Sequence, residues 1–251
     1  MVTATPLIFS AFMRELMAST AVPKAIQELR QGRIVLVYDA DGREEETDMV
    51  VASEHVDPSV IRTLRKDAGG LICTTADTQI QRALGLPFLS ELFLGMAEHY
   101  PVMRNLIPND IPYDVKSAFG ITINHRKTFT GITDNDRAMT VKEFAELSRR
   151  ALTSEDGWAK KEFGKSFRAP GHIHLLNTSE RILETRFGHT ELATALVVMA
   201  GLVPSATVCE MMGDDGGALS KQKAMAYAKR HQYAFLEGAE VVEAWKIFGN
   251  R

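Results

Sequence analysis

The fold of this chain can be read outward from one stretch, the apolar run Arg33-Ile-Val-Leu-Val-Tyr38 and the acidic run Asp39-Ala-Asp-Gly-Arg-Glu-Glu-Glu-Thr-Asp48 that follows it. A short run of β-branched and apolar residues predicts a buried strand. Pro23 at a first helical turn and the stop signal Gly32 predict a helix that ends just before this strand. The stretch therefore predicts a helix, a buried strand and an acidic connection in succession.

Helix and strand signals alternate on the C-terminal side of this stretch. Asp57-Pro58 predicts a helix start and Gly69-Gly70 its end. Thr140-Val-Lys-Glu143 fits a capping box ahead of a helix that runs to Ala151. Further helices are predicted over 190–200, 220–231 and 240–248, and further strands over 71–74, 118–124 and 205–210. With no fixed-period repeat and no Gly/Ser/Pro-rich linker, this alternation predicts one domain of α/β class (α+β type) over 21–251.

Three segments fit this pattern less well. Residues 85–117 are rich in Pro, Leu and Met and show no clean period. Residues 153–169 are charged and contain glycine, which predicts a mobile or exposed loop. Residues 1–20 form an N-terminal extension with a short apolar run over 6–13. This run is a poor signal peptide, because no basic region precedes it and charges interrupt it. It predicts an amphipathic helix instead.

The composition narrows the class of protein. The chain has 251 residues, of which 45% are hydrophobic and 24% charged, typical of a soluble globular protein. The net charge of -3 gives no whole-protein reason to expect a nucleic-acid partner. Two cysteines exclude a disulfide scaffold and a four-cysteine zinc site. A cytoplasmic protein with no membrane or nucleic-acid partner is expected.

The acidic run is the strongest functional signal. Six of its ten residues are carboxylates, at the end of a predicted strand, where ligand sites of α/β sheets tend to lie. Carboxylates this close stay ionised together only when solvated or neutralised by a cation, and Mg²⁺ favours such oxygen ligands. The spacing does not fit a calcium-binding EF-hand loop, because Glu44 stands where that loop needs glycine. A solvated acidic turn without a ligand remains the alternative.

The segment Arg186-Phe-Gly-His-Thr-Glu191 precedes a predicted helix whose cap would be Thr190. The free N–H groups of a helix start favour a bound phosphate, and Arg186 and Thr190 could complete an anion pocket. His189 in the same turn could ligate a metal. The alternative is an ordinary capped helix entry.

Three further polar segments carry weaker signals. Pro170-Gly-His-Ile-His174 contains His172, which could equally be a surface or core histidine. Phe129-Thr-Gly-Ile-Thr-Asp-Asn-Asp-Arg137 could meet a phosphate or a sugar hydroxyl, but turn chemistry explains it equally well. Glu210 at a strand end could move protons, whereas the adjacent Cys209 is expected to be a buried structural thiol.

Read together, these segments resemble the 3,4-dihydroxy-2-butanone 4-phosphate synthase family. The matching pieces occur in the family's order: Arg43-Glu-Glu-Glu-Thr-Asp48, Gly70-Leu-Ile-Cys73, Thr130-Gly-Ile-Thr133 with Asp136-Arg137, Pro170-Gly-His172, Arg186 to Glu191, and Cys209-Glu210 with Asp215-Gly216. Two positions depart from the usual pattern: Ile173-His-Leu-Leu176 replaces an aromatic residue and proline, and Leu192 replaces a small residue.

The resemblance implies a role for each matching residue. Glu44 and His189 would be the protein ligands of magnesium ions, with Mn²⁺ as an alternative metal. Contacts to the substrate D-ribulose 5-phosphate would come from Arg43, Glu44, Asp48, Thr130, Arg186, His189, Thr190 and Glu210. Catalytic roles would fall to His172, Glu210, Asp48, Glu46 and Cys73.

The resemblance also implies a fold, an assembly and a reaction. The expected fold is a three-layer sandwich with a mixed, twisted sheet flanked by helices. The expected assembly is a homodimer with the active site at its interface. The expected reaction is a lyase step of riboflavin biosynthesis that converts D-ribulose 5-phosphate to L-3,4-dihydroxy-2-butanone 4-phosphate and formate. The GTP cyclohydrolase II domain that some relatives carry is not expected here, because its zinc requires three cysteines.

Two other functions remain open on the residues alone. A metal-dependent sugar-phosphate phosphatase would use the same acidic run and anion pocket. A nucleotide- or RNA-binding module of similar fold is the non-enzymatic alternative, but the sequence has no basic patch interleaved with aromatic residues.

Overall fold

The computed structural model describes residues 21–108, 110–155 and 157–249, so the helix predicted within the N-terminal extension lies outside the described residues. A seven-stranded mixed sheet forms the middle of the molecule, in the order β4-β5-β3-β6-β2-β1-β7. Its strands are β1 (Val35–Tyr38), β2 (Thr47–Ala52), β3 (Cys73–Ala76), β4 (Phe119–His125), β5 (Phe167–Asn177), β6 (Ala206–Glu210) and β7 (Phe235–Glu237).

Helices cover both faces of this sheet. They are α1 (Val22–Arg30), α2 (Pro58–Thr63), α3 (Thr78–Leu84), α4 (Leu89–Met96), α5 (Val102–Asn105), α6 (Asp134–Ala151), α7 (Trp158–Ser166), α8 (His189–Met199), α9 (Lys221–His231) and α10 (Gly238–Gly249). One core lies between the sheet and α1, α8 and α10, and a second core lies between the sheet and α2, α3, α6, α7 and α9. The predicted three-layer sandwich is confirmed. Among the described helices, none has the length and apolar character needed to cross a bilayer.

The helix α2 starts and stops where the sequence predicts. Asp57 accepts hydrogen bonds from the backbone N–H groups of Ser59 at 2.8 Å and Val60 at 2.9 Å, which caps the helix start. A π-helical turn over Leu64–Ala68 continues the helix, and Gly69 ends it with a left-handed φ of 88°. This end delivers the chain into β3 beside the central strands.

The predicted capping box at Thr140 is wrong. The helix α6 begins at Asp134, and Thr133 caps it by accepting a hydrogen bond from the Asp136 N–H at 3.2 Å. Thr140 lies inside the helix, where its hydroxyl donates to the Asp136 carbonyl at 2.9 Å and accepts from the His125 N–H at 3.0 Å. The helix is capped at Thr133 and not at Thr140, because the earlier start adds almost two helical turns whose buried face packs on β4.

The loop predicted over 153–169 is also wrong, because α7 and the first residues of β5 occupy most of it. The ring centroid of Phe163 lies 5.3 Å from that of Phe167 and 6.4 Å from that of Phe144. Burial of these aromatic rings stabilises a helix that its many charged residues conceal in the sequence. The described part of residues 85–117, in contrast, contains α4 and α5 as its only helices or strands, and neither helix has a buried residue.

The central strands bring carboxylates together. The strands β1 and β2 form an antiparallel hairpin around the acidic run, with Tyr38 opposite Thr47. The next neighbour of β2 is β6, also antiparallel, and this pairing sets Asp48 directly opposite Glu210. Since side chains directly opposite each other on a sheet lie on the same face, two acidic side chains meet near the middle of the sheet.

Candidate active site

Asp39 holds the acidic connection in shape. Its side chain is fully buried, and its two oxygens accept hydrogen bonds from the backbone N–H groups of Glu44 at 3.0 Å and Glu46 at 3.1 Å. The guanidinium of Arg43 donates to the same carboxylate at 3.0 Å. Sequence reasoning did not identify Asp39 as a site residue, although its position at the end of β1 was a signal. Asp39 thus fixes the backbone that presents Glu44.

Glu44 and His189 are far apart in the sequence but lie next to each other in the structure. The Glu44 Oε2 atom lies 3.4 Å from the His189 Nδ1 atom. The other imidazole nitrogen, Nε2, lies 3.2 Å from the carbonyl oxygen of Glu46 and 3.7 Å from Oδ1 of Asp48. His189 is the first residue of α8 and is buried. The predicted pair therefore shares one site within a single chain.

Glu44 and His189 each stabilise the charged form of the other. Burial alone would raise the pKa of Glu44, but the hydrogen bond and charge of His189, together with Arg43, lower this pKa to about 2. Burial would lower the pKa of His189, but the charge of Asp48 and the contact with Glu44 raise it to about 9. The imidazole of His189 is consequently cationic. Its positive charge lies among carboxylates, and the positive charge of a bound metal ion would lie in the same surroundings.

The donor set fits a divalent cation. Ligand atoms of Asp39, Glu44 and His189 all lie within 4.8 Å of one another. Neighbouring ligands around octahedral Mg²⁺ are about 3.0 Å apart, close to the separation of the Glu44 and His189 atoms. The Asp39 oxygens already accept from backbone and Arg43, so Asp39 suits a supporting role better than ligation. Oδ1 of the buried Asp48 makes no hydrogen bond among the described residues, and its neighbour is the other imidazole nitrogen of His189, Nε2, at 3.7 Å.

The remaining acids and the thiol line the wall next to this pair. Glu210 is held in place by the Leu71 N–H, which donates to its Oε2 at 2.8 Å. Burial raises the pKa of Asp48, and the charges of Glu210 and Glu44 add to this effect, although His189 opposes it. Burial also raises the pKa of Glu46, with Glu44 and Glu210 adding to the shift. The pKa of Cys73 is raised by burial and then by Glu210 and Asp48, so this thiol stays protonated.

Two arginines form the second part of the site. Arg43 donates through Nη1 to Glu44 at 2.8 Å and through Nη2 to Asp114 at 3.2 Å. Arg186 donates through Nε to the same Asp114 oxygen and through Nη1 to the fully buried Glu191 at 2.5 Å. Sequence reasoning missed Asp114, because it lies in the aperiodic segment, and assigned no role to Glu191 although it belongs to the motif. These contacts place both guanidinium groups beside the start of α8.

The helix start differs from the prediction at one residue. Gly188, and not Thr190, is the N-cap of α8, and Thr190 lies buried in the first turn. A Cβ atom at Gly188 would lie 2.6 Å from the Arg43 Nη2 atom and 2.7 Å from the Arg186 Nη1 atom. Both guanidinium groups therefore lie against the open side of Gly188, and a larger residue there would have to displace these two side-chain ends.

His172 and Thr130 do not contact this cluster within one chain. The Asn124 side chain lies 3.1 Å from Nδ1 of His172 and accepts from the His172 N–H at 2.9 Å. The backbone N–H of Thr130 donates to Asp136 at 3.2 Å. Since β3 separates β5 from β6, the strand that carries His172 lies about 10 Å from the strand that carries Glu210. These two predicted residues form a separate group toward the β4 edge of the sheet.

Comparison with known proteins decides the family. The family model for 3,4-dihydroxy-2-butanone 4-phosphate synthase matches residues 23–244. This chain belongs to that family. Over 228 residues it is 48% identical to the 3,4-dihydroxy-2-butanone 4-phosphate synthase of Methanothermobacter thermautotrophicus, which covers 90% of this chain and 96% of that protein. Riboflavin biosynthesis protein RibBA of Bacillus subtilis is 29% identical over 222 residues, which are 88% of this chain and 48% of that protein.

A solved structure agrees with this membership. The crystal structure of a 3,4-dihydroxy-2-butanone 4-phosphate synthase in complex with two magnesium ions superposes with a TM-score of 0.68 at 25% identity, over 88% of this chain and 94% of that chain. Membership in the synthase family confirms the predicted lyase of riboflavin biosynthesis. Neither the phosphatase nor the RNA-binding alternative is favoured by these relatives.

Proposed function

We propose that this chain converts D-ribulose 5-phosphate to L-3,4-dihydroxy-2-butanone 4-phosphate and formate, with a divalent cation held by Glu44 and His189. The observation that carries the proposal is the 3.4 Å approach of Glu44 Oε2 to His189 Nδ1. Mg²⁺ is the expected cation and Mn²⁺ the alternative. Such a cation, when bound, polarises a substrate carbonyl and so makes the adjacent C–H bond more acidic.

The arginines and the helix start bind the phosphate end of the substrate. Arg186 and Thr190 lie at the N-terminus of α8, where backbone N–H groups and the helix dipole favour an anion. Arg43 lies next to Arg186 on the same side of Gly188. Anchoring the phosphate here keeps the other carbons of the sugar near Glu44 while they rearrange.

The carboxylates move the protons. Asp48, with its raised pKa, can hold a proton near neutral pH and give it to the departing C1 hydroxyl. Glu210, fixed by the Leu71 N–H, and Glu46 are the proposed acceptors, with the buried thiol of Cys73 near Glu210 and Asp48. Because these acids are coupled through their charges, protonation belongs to the cluster and not to one residue.

A homodimer would bring His172 and Thr130 to the Glu44 site, which they do not contact within one chain. The turn that carries Thr130 exposes Phe129 and Ile132, whose exposed fractions are 94% and 50%. Apolar side chains this exposed favour a protein interface on this surface. We propose that the interface lies there and that His172 and Thr130 approach the Glu44 site across it. Cytoplasmic location is proposed with this assembly, since both cysteines are unpaired thiols.

The reaction is tested by incubating the pure protein with D-ribulose 5-phosphate and Mg²⁺ and following the mixture by NMR. Formate is expected, with one equivalent of the four-carbon phosphate. Release of inorganic phosphate without formate would contradict the proposal and would identify a phosphatase. Sedimentation of the same sample tests the dimer, and a monomer with full turnover would contradict the shared site.

A further inference from the structure

Asp114 connects the two arginines through a single oxygen atom. Its Oδ2 atom accepts from Nη2 of Arg43 at 3.2 Å and from Nε of Arg186. The side chains of all three residues are largely buried, with exposed fractions of 13%, 13% and 7% for Arg43, Arg186 and Asp114. One buried oxygen that accepts from two guanidinium groups marks a position suited to an anionic oxygen.

Two donor atoms of the arginines hold other carboxylates of the protein. Arg43 Nη1 donates to Asp39 and Glu44, and Arg186 Nη1 donates to Glu191. The two donors that converge on one point, Arg43 Nη2 and Arg186 Nε, are those that Asp114 engages. A phosphate oxygen at this point of convergence would therefore compete with the Asp114 carboxylate.

The charge balance also requires that Asp114 leave when a phosphate arrives. Four carboxylates contact the two guanidinium groups, namely those of Asp39, Glu44, Asp114 and Glu191. A dianion added to this set would meet uncompensated negative charge in a poorly solvated position. Asp114 is the one of these four carboxylates on a segment without backbone–backbone hydrogen bonds among the described residues, and its removal restores the attraction.

The segment that carries Asp114 is weakly anchored elsewhere. Residues 110–117 contain no helix or strand, and among the described residues they make no backbone–backbone hydrogen bond. Val115, the next residue, is 93% exposed. The segment also contacts its surroundings through the Tyr113 ring, 5.3 Å from the Arg43 guanidinium, and through Lys116 above the Phe88 ring. At its end, Ser117 Oγ accepts a hydrogen bond from the Phe119 N–H at 3.2 Å. Such a segment can move at small cost in free energy.

We propose that Asp114 is an internal counter-anion of the phosphate pocket, which holds Arg43 and Arg186 in position and is displaced, with residues 110–117, by the phosphate group of the substrate. The proposal rests on the proposed function, because it takes the Arg43–Arg186 pair as the phosphate site. Its consequence is that wild-type affinity for a phosphate monoester is reduced by the fraction of molecules in which Asp114 occupies the pocket.

The test measures binding of inorganic phosphate to the full chain by ³¹P NMR, at constant ionic strength and constant Mg²⁺. Asp114→Asn keeps the size of the side chain and removes its charge, and it is expected to tighten phosphate binding by about tenfold, because the competing state is lost. Asp110→Asn is the matched control, since Asp110 is an exposed carboxylate of the same segment, and its affinity should equal that of the wild type. Unchanged or weaker phosphate binding by Asp114→Asn would overturn the proposal.

A second measurement needs no change at Asp114. Val115→Cys, labelled with an environment-sensitive thiol probe, reports on the segment directly, because Cys73 and Cys209 are buried and protected from the reagent. Saturating phosphate is expected to change the probe signal, and a constant signal would contradict displacement. Arg186→Ala separates the two proposals: if it binds phosphate as tightly as the wild type, the pocket itself is assigned wrongly. If it loses binding while Asp114→Asn gains none, only the displacement fails.

Discussion

The carboxylate of Glu44 lies 3.4 Å from the imidazole of His189, although 145 residues separate them in the sequence. The hairpin of β1 and β2 supplies the first residue, and the start of α8 supplies the second. Glu44 and His189 would together offer a divalent cation one carboxylate and one imidazole ligand. Asp48 lies at the other imidazole nitrogen, Nε2, at 3.7 Å.

Removal of either proposed ligand should abolish turnover without unfolding the chain. Glu44→Gln and His189→Ala are each expected to lower kcat by at least about 100-fold, because both atoms hold the cation that activates the substrate. Formate release at saturating Mg²⁺ measures turnover, and circular dichroism checks the fold. Glu45→Gln, an exposed neighbour in the same connection, is the control and should retain activity. Activity near wild type in either ligand variant would refute the metal assignment.

Asp39 should matter for metal affinity although we do not expect it to be a ligand. Asp39→Ala removes the acceptor for the Glu44 and Glu46 N–H groups, so Glu44 loses its fixed position. We expect the affinity for Mg²⁺ or Mn²⁺ to fall by about 10- to 100-fold, as for other groups that orient a ligand. Calorimetric titration measures this change. Asp41→Asn, which alters an exposed carboxylate of the same turn, should leave affinity unchanged, and an equal loss in both variants would argue against the supporting role.

Arg186 should act on substrate binding more than on the chemical step. Arg186→Ala is expected to raise KM by about tenfold or more with a smaller change in kcat, because a charged hydrogen bond to the phosphate is lost. Arg181→Ala is the control, since Arg181 is exposed and pairs only with Glu184 at 3.2 Å on the surface. An unchanged KM in Arg186→Ala would place the phosphate elsewhere.

Metal affinity should rise with pH. The carboxylates around His189 raise its pKa to about 9, against the effect of burial, and an imidazolium cannot ligate a cation. Below this pKa each bound cation releases a proton, so the apparent affinity is expected to rise by about tenfold per pH unit up to about pH 9 and to level off above it. Glu44, with its pKa lowered to about 2, remains ionised over this range. Calorimetry in buffers of different ionisation enthalpy measures the released proton, and an affinity independent of pH would contradict the expectation.

The sequence supported the fold better than it supported the geometry of the site. The buried strand before Asp39 and the helix between Asp57 and Gly69 follow from local patterns, and the structure contains both. The helix α7 was missed because its charged residues conceal the packing of Phe163 on Phe167, which is visible only in three dimensions. Local propensity does not include such tertiary burial.

In the candidate site, too, some features follow from the sequence and others are visible only in three dimensions. Residue types and the family resemblance pointed to Glu44 and His189, and the structure brings them together. Thr190 was predicted as the cap because a hydroxyl residue is the commoner cap, whereas Gly188 caps the helix. The two guanidinium groups beside Gly188 come from distant parts of the chain, so no local pattern reveals them. Asp114 could not be found from sequence, since its role arises only from the positions of two distant guanidinium groups.

The facing pair of Asp48 and Glu210 has a consequence for how this fold can evolve. Like charges directly opposite each other on neighbouring strands weaken a sheet, and here they do so at its middle, where apolar partners would be most stabilising. Greater resistance to heat would come most directly from replacing this pair with a valine and an isoleucine, and that change would remove two of the proposed proton carriers. Substitutions that raise stability at higher temperature are therefore expected in the outer helices and edge strands. The centre of the sheet keeps a pair of acidic residues that lowers its stability.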